Sequence, residues 1–148
     1  MHLGIKLQKI QLVKTINVER EKAFKAGTDF ESLTSKLPQY FKLIRIRSIR
    51  EFTSVIEIHG KIAGKEFVVM TKNVIKPPEI HETFVLSGDA RGSHFTKKYE
   101  SIPDGTRITI DIDLKLRGFL RLAGIFSANK IKEIIKEYFD DFVRTIEI

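Results

Sequence analysis

Few side chains in this sequence stand where chemistry would need them. Glu82 shares strand parity with Ile80, Phe84 and Leu86. A carboxyl facing inward with them would be desolvated, its pKa raised, and fit to serve as an acid or a base. The other reading is a one-residue shift or bulge that turns Glu82 outward, and it is preferred. Lys97, between Phe95 and Tyr99, poses the same question, with the further option that its stem is buried while its amine reaches water. Asp111 and Asp113 share a face, but one opposite to Ile110 and Ile112, so they read as a solvated pair. His2, His59, His81 and His94 have no metal-ligand spacing. His59, His81 and His94 could meet across adjacent strands; scattered surface histidines are the preferred reading.

Other chemistries fail on residue type. Gly60-Lys61-Ile62-Ala63-Gly64-Lys65-Glu66 has three residues between its glycines where a phosphate loop needs four, and Glu66 where that loop needs Ser or Thr. It reads as a hairpin turn. There is no Gly-x-Ser-x-Gly elbow and no cysteine, so a serine elbow, thiolate chemistry and disulfides are excluded. No catalytic residue, metal or cofactor is expected.

The chain is 148 residues long, 42% hydrophobic and 30% charged, which fits one domain, residues 1–148, with a real core. Its net charge of +7 favours anionic neighbours, although a solubilising surface is the plainer reading. Arg45, Arg47, Arg50, Lys97, Lys98, Arg117, Arg121, Lys130 and Lys132 are dispersed, without a recognition motif or a stacking set of aromatics. Nucleic acid is therefore not an expected partner. Residues 1–12 lack the continuous apolar core of a signal peptide, and no segment reaches a membrane span. A cytoplasmic monomer is the default expectation.

The elements that must position these residues follow from periodicity. Leu7 to Val18 reads as a strand, Glu19 to Ala26 as a short helix that Asn17 can cap, with Gly27 stopping it. Thr28-Asp29-Phe30-Glu31 fits a capping box for a second short helix that Pro38 closes. Strands follow at Phe41 to Phe52, Ser54 to Lys61, Glu66 to Ile75, Ile80 to Leu86 and Ser93 to Ile102. After the turn Pro103-Asp104-Gly105, Arg107 to Leu116 alternates strictly, as in an antiparallel sheet with one wet face. From Phe119 the apolar spacing becomes helical, through Phe126, Ile131, Ile134, Ile135, Tyr138, Phe139, Phe142 and Ile146. The fold class expected is α+β: a curved antiparallel sheet of about seven strands wrapped on a long C-terminal helix, with two short helices after strand 1 plugging one end.

This order resembles the helix-grip fold of the START-like (SRPBCC) superfamily. Ile16-Asn17-Val18-Glu19-Arg20-Glu21-Lys22-Ala23-Phe24 is similar to that family's opening strand and helix. Asp29-Phe30-Glu31-Ser32-Leu33 with Leu37-Pro38, Pro77-Pro78-Glu79-Ile80 and Asp104-Gly105-Thr106-Arg107-Ile108-Thr109 resemble its later landmarks. The nearest flavour is the polyketide-cyclase or coenzyme-Q-binding branch. The resemblance implies a hydrophobic molecule held between sheet and helix, and no shared catalytic motif.

The expected function is binding and sequestration or transport of a lipid, quinone or polyketide-like molecule. Candidate ligand-binding residues are Ile16, Phe84, Phe95, Tyr99, Ile110, Ile112 and Leu114 from the strands. Phe126, Ile134, Ile135, Tyr138 and Phe142 join them from the helix. Tyr99 or Tyr138 could fix a polar end. The expected gate comprises Glu19 to Leu37, the loop near Gly88 to Gly92, and the start of the last helix. The apolar run Gly118 to Phe126 could touch an anionic membrane surface during loading. Two rivals stay open: a cyclase or hydrolase using a cavity carboxylate or histidine, and a protein-interaction module without a cavity.

Overall fold

The computed structural model describes residues 6–117 and 128–147. Its strands are β1 (Lys6–Ile16), β2 (Phe41–Arg50), β3 (Thr53–Ile62), β4 (Lys65–Lys76), β5 (Ile80–Val85), β6 (His94–Ile102) and β7 (Gly105–Leu116). Between β1 and β2 lie α1 (Arg20–Gly27), a single 3₁₀ turn (Phe30–Ser32) and α2 (Leu33–Lys36). The last element is α3 (Ala128–Glu147). The strands form one antiparallel sheet in the order β1-β7-β6-β5-β4-β3-β2. It is a meander from β2 to β7, and β1 returns to pair with β7.

The clean alternation of β7 decides which face is which. Ile108, Ile110, Ile112, Leu114 and Leu116 are all buried. Across the ladder Ile108, Ile110 and Ile112 meet Tyr99, Lys97 and Phe95 on β6, and Ile110 and Ile112 meet Leu12 and Ile10 on β1. This half of the sheet packs against α3, whose Ile131, Phe139, Phe142, Val143 and Ile146 are buried. Two polar ties fix the helix along β1. Gln8 donates to the carbonyl of Ala128 at 2.9 Å, and Lys14 pairs with Asp140.

Local expectations at the short helices need correction. Glu19, not Asn17, stands at the N-cap of α1, and no side chain caps it. Thr28 does not open a capping box. Its hydroxyl donates back to the carbonyl of Phe24 at 2.8 Å, ending α1. The helical pattern before Ala128, with Phe119, Phe126 and the proposed membrane-touching run, lies outside the described residues. Among the described residues no helix is long and apolar enough to cross a membrane.

Candidate ligand cavity

Away from β1 and β7 the sheet and the helix separate, and a cavity of about 610 Å³ lies between them. Ile44 of β2, Ile56 and Ile58 of β3, Phe67 and Val69 of β4 and Val85 of β5 form its apolar wall. Ile131, Ile134, Ile135 and Tyr138 of α3 form the opposite wall, with Phe30 and Leu33 at the side. Gly27, Phe139 and Phe142 line its far end. Its mouth runs between the β3–β4 turn (Ala63, Lys65, Glu66) and the β5–β6 loop (Ser87 to Ala90).

Within this apolar lining sits one polar patch, built by parity. Thr71 and Asn73 on β4, His81 and Thr83 on β5, and Lys97 on β6 all point inward. The amide of Asn73 donates to the Thr71 hydroxyl at 3.0 Å. That turns its carbonyl oxygen toward β5, where it accepts from Thr83 at 2.8 Å and meets His81 Nε2 at 2.9 Å. The network therefore assigns the ring proton to Nε2. Nδ1 is buried without a partner among the described residues. Burial first, and the charge of Lys97 second, hold the imidazole well below its ordinary pKa. His81 is neutral at physiological pH.

Lys97 stands directly across the ladder from His81. It is 8% exposed, and its Nζ lies 4.3 Å from the ring centre of Phe142 and 5.7 Å from that of Phe139. Burial pushes its pKa down to about 8. At the helix, Tyr40 donates to Asp141 at 2.6 Å and meets Tyr138 edge-on, ring centres 4.9 Å apart. Desolvation comes first in raising the pKa of Tyr40, and the Asp141 hydrogen bond second.

No family model matches the chain, and no curated protein matches it in sequence. Solved structures do match in shape. A protein of Thermus thermophilus aligns with a TM-score of 0.80 at 13% identity, over 95% of this chain and 94% of that one. A START superfamily protein of Mycobacterium smegmatis aligns at 0.75 and 17%, over 94% of both chains. The ZhuI aromatase/cyclase of Streptomyces sp. R1128 aligns at 0.72 and 11%, over 95% of this chain and 88% of that one.

The chain has the START-like helix-grip fold.

Within the helix-grip frame the residues expected at the ligand divide into four groups. Phe95, Leu114, Ile134, Ile135, Tyr138 and Phe142 line the cavity. Ile16, Tyr99, Ile110 and Ile112 do not; they are buried in the packed half of the core, where α3 and α1 cover the sheet. Phe84 is on the wrong face. It stacks on His94 outside the sheet, ring centres 4.5 Å apart and planes at 12°. Phe126 lies outside the described residues.

Glu82 also faces outward, as preferred, 3.4 Å from His94. The three histidines therefore do not meet. His59 and His94 are on the outer face and His81 on the inner. Among the described residues no cluster could hold a metal ion. Sequence reasoning placed the strands β2, β3 and β4 but named none of their residues as cavity lining, and it missed the Asn73–His81–Thr83 patch. The signal available was the parity of Lys97, which pairs with His81.

The cavity is too large to stand dry. It has room for many water molecules, and its mouth is open. Water or a guest must fill it.

Proposed function

We propose that this protein binds a hydrophobic small molecule in the cavity between sheet and α3, and sequesters or carries it. The observation that supports this reading is the 610 Å³ space itself, with mostly apolar walls and an open mouth. Small-molecule sites run to roughly 300–1,000 Å³ with a few placed polar groups. The driving force is removal of the ligand's apolar surface from water, at about 25 cal/mol per Å². Of the expected gate, Phe30 and Leu33 in the short helices and Gly88 to Ala90 in the β5–β6 loop lie against the cavity, while the expected start of the last helical region lies outside the described residues. A module that binds protein without a cavity is disfavoured by the same space.

The test is binding of Nile red, a neutral apolar dye, together with mass spectrometry of an organic-solvent extract. The chain has no Trp, so Val69→Trp both fills the cavity and introduces a reporter. The wild type should bind the dye in a 1:1 complex and melt at a higher temperature in its presence. Val69→Trp should bind it at least about tenfold more weakly while keeping its fold. No dye binding and a clean extract would sink the reading.

His81 favours a second reading, an enzyme of the cyclase or hydrolase kind. It is a neutral histidine in the cavity wall with one ring nitrogen unpartnered among the described residues. Turnover of a bound polyketide-like substrate that His81→Phe abolishes without loss of binding would establish it. Turnover unaffected by that change would exclude His81 as the base.

A further inference from the structure

Lys97 presents a problem that the apolar cavity does not explain. A lysine ammonium is almost never buried without a partner. Yet Lys97 makes no hydrogen bond or ion pair among the described residues, only its two contacts with aromatic rings. All 19 Asp and Glu side chains of the sequence lie within the described residues, and none of them is paired with Lys97 there. The acids that line the cavity, Glu66 and Asp89, are at its mouth. On α3, Asp140 is taken by Lys14, and Asp141 by Tyr40 and Arg144. Across the ladder stands His81, which is neutral and already donating to Asn73. The ammonium thus has unused donors and an uncompensated charge, at the edge of a space with room for an apolar body.

We infer that the ligand of this cavity is an amphipathic acid, whose carboxylate seats against Lys97 Nζ while its apolar body lies along Ile58, Val69, Ile134 and Ile135. The inference rests on the cavity-binding reading and adds the chemical class of the ligand. A carboxylate satisfies both deficits of Lys97 at once. It accepts charge-assisted hydrogen bonds, which are about twice as strong as neutral ones. It also supplies the counter-charge that no described residue gives Lys97. A neutral ligand of the same shape would leave that charge unpaired, so the site discriminates between them.

The experiment compares dansyl-undecanoate with its methyl ester, which has nearly the same apolar body and no charge. Each is titrated into wild type, Lys97→Met and Lys97→Gln at neutral pH, with thermal melts to establish that each variant is folded. The wild type should bind the acid at least about tenfold more tightly than the ester. In both variants that preference should vanish through weaker binding of the acid, while ester binding stays within about twofold or improves. Equal binding of acid and ester by the wild type would overturn the inference and leave the cavity reading intact. So would a preference for the acid that survives in Lys97→Met, since the cations at the mouth, Lys61 and Lys65, would then carry it. Binding of neither compound, nor of Nile red, would instead remove the cavity reading beneath it.

Discussion

Lys97→Met should make the ligand-free protein more stable at neutral pH, by about 2–3 kcal/mol. Burial lowers the lysine pKa from 10.5 to about 8. Each unit corresponds to about 1.4 kcal/mol of preference for the neutral form. The contacts with Phe139 and Phe142 return about 1 kcal/mol of this. Methionine keeps an unbranched stem against the same rings and carries no charge. For a domain of this size the gain corresponds to roughly 4–12 °C in melting temperature.

The sign of the pH dependence follows from the depressed pKa. Below pH 8 the folded protein buries a charged ammonium, and the full penalty is present. As pH rises from about 8 toward 10.5, the unfolded chain holds the proton that the folded protein has shed, so wild-type stability recovers relative to the variant. The titratable groups facing Lys97 do not blur this window. His81 on β5 is neutral already, and burial raises the pKa values of Tyr99 on β6 and Tyr138 on α3. From β7 the partner is Ile110. Thermal melts of both proteins from pH 7 to 10 measure the gap, which should narrow as pH rises. A variant less stable than wild type at pH 7 would mean that the ammonium has a structural partner, and the case for a bound acid would lose its basis. With a bound acid the gap should also narrow, since the ligand stabilises only the protein that it pairs with.

The architecture was legible because its strongest signals are local. Ile108 to Leu116 alternate without a fault, and the helix from Ile131 to Ile146 keeps its period. Both elements bury a continuous apolar face, and that is the pattern that periodicity detects. The site was less legible because a cavity inverts the rule. At β5 the inner face carries His81 and Thr83, while bulky Phe84 faces outward and pairs with His94. Parity read from hydrophobicity alone therefore put Phe84 inside. Lys97 between Phe95 and Tyr99 was the contrary signal, a charge at an inward position. Whether an inward residue touches cavity or core is a different matter. Ile110 and Leu114 are equivalent in sequence, yet Ile110 packs in the core and Leu114 lines the space. The curvature of the sheet and the path of α3 decide that, and neither is a local property.

The far end of the cavity is closed by a contact that only glycine permits, and it gives a second large effect. A Cβ on Gly27 would sit 2.2 Å from the hydroxyl of Tyr99, 3.2 Å from its Cζ and 3.4 Å from Phe142. Tyr99 is fully buried, edge-on to Phe24 with ring centres 5.1 Å apart. Its hydroxyl is buried beside Gly27 of α1 and has no hydrogen-bond partner among the described residues. Gly27→Ala should therefore destabilise the protein by about 2–3 kcal/mol, because the ring cannot move without disturbing Phe24 and Phe142. Tyr99→Phe alone should stabilise it by about 1 kcal/mol, since it removes an unpaired buried hydroxyl and keeps the ring. Made together, the two changes should recover most of the loss, with a coupling of about 2 kcal/mol between them. Urea unfolding of the four proteins measures the cycle. If Gly27→Ala costs the same with Phe at position 99 as with Tyr, the hydroxyl is not what the glycine accommodates, and the closure depends on Phe142 instead. If the coupling appears, Tyr99 belongs to the closed end of the core, and of the two tyrosines expected to fix a polar end only Tyr138 lines the cavity.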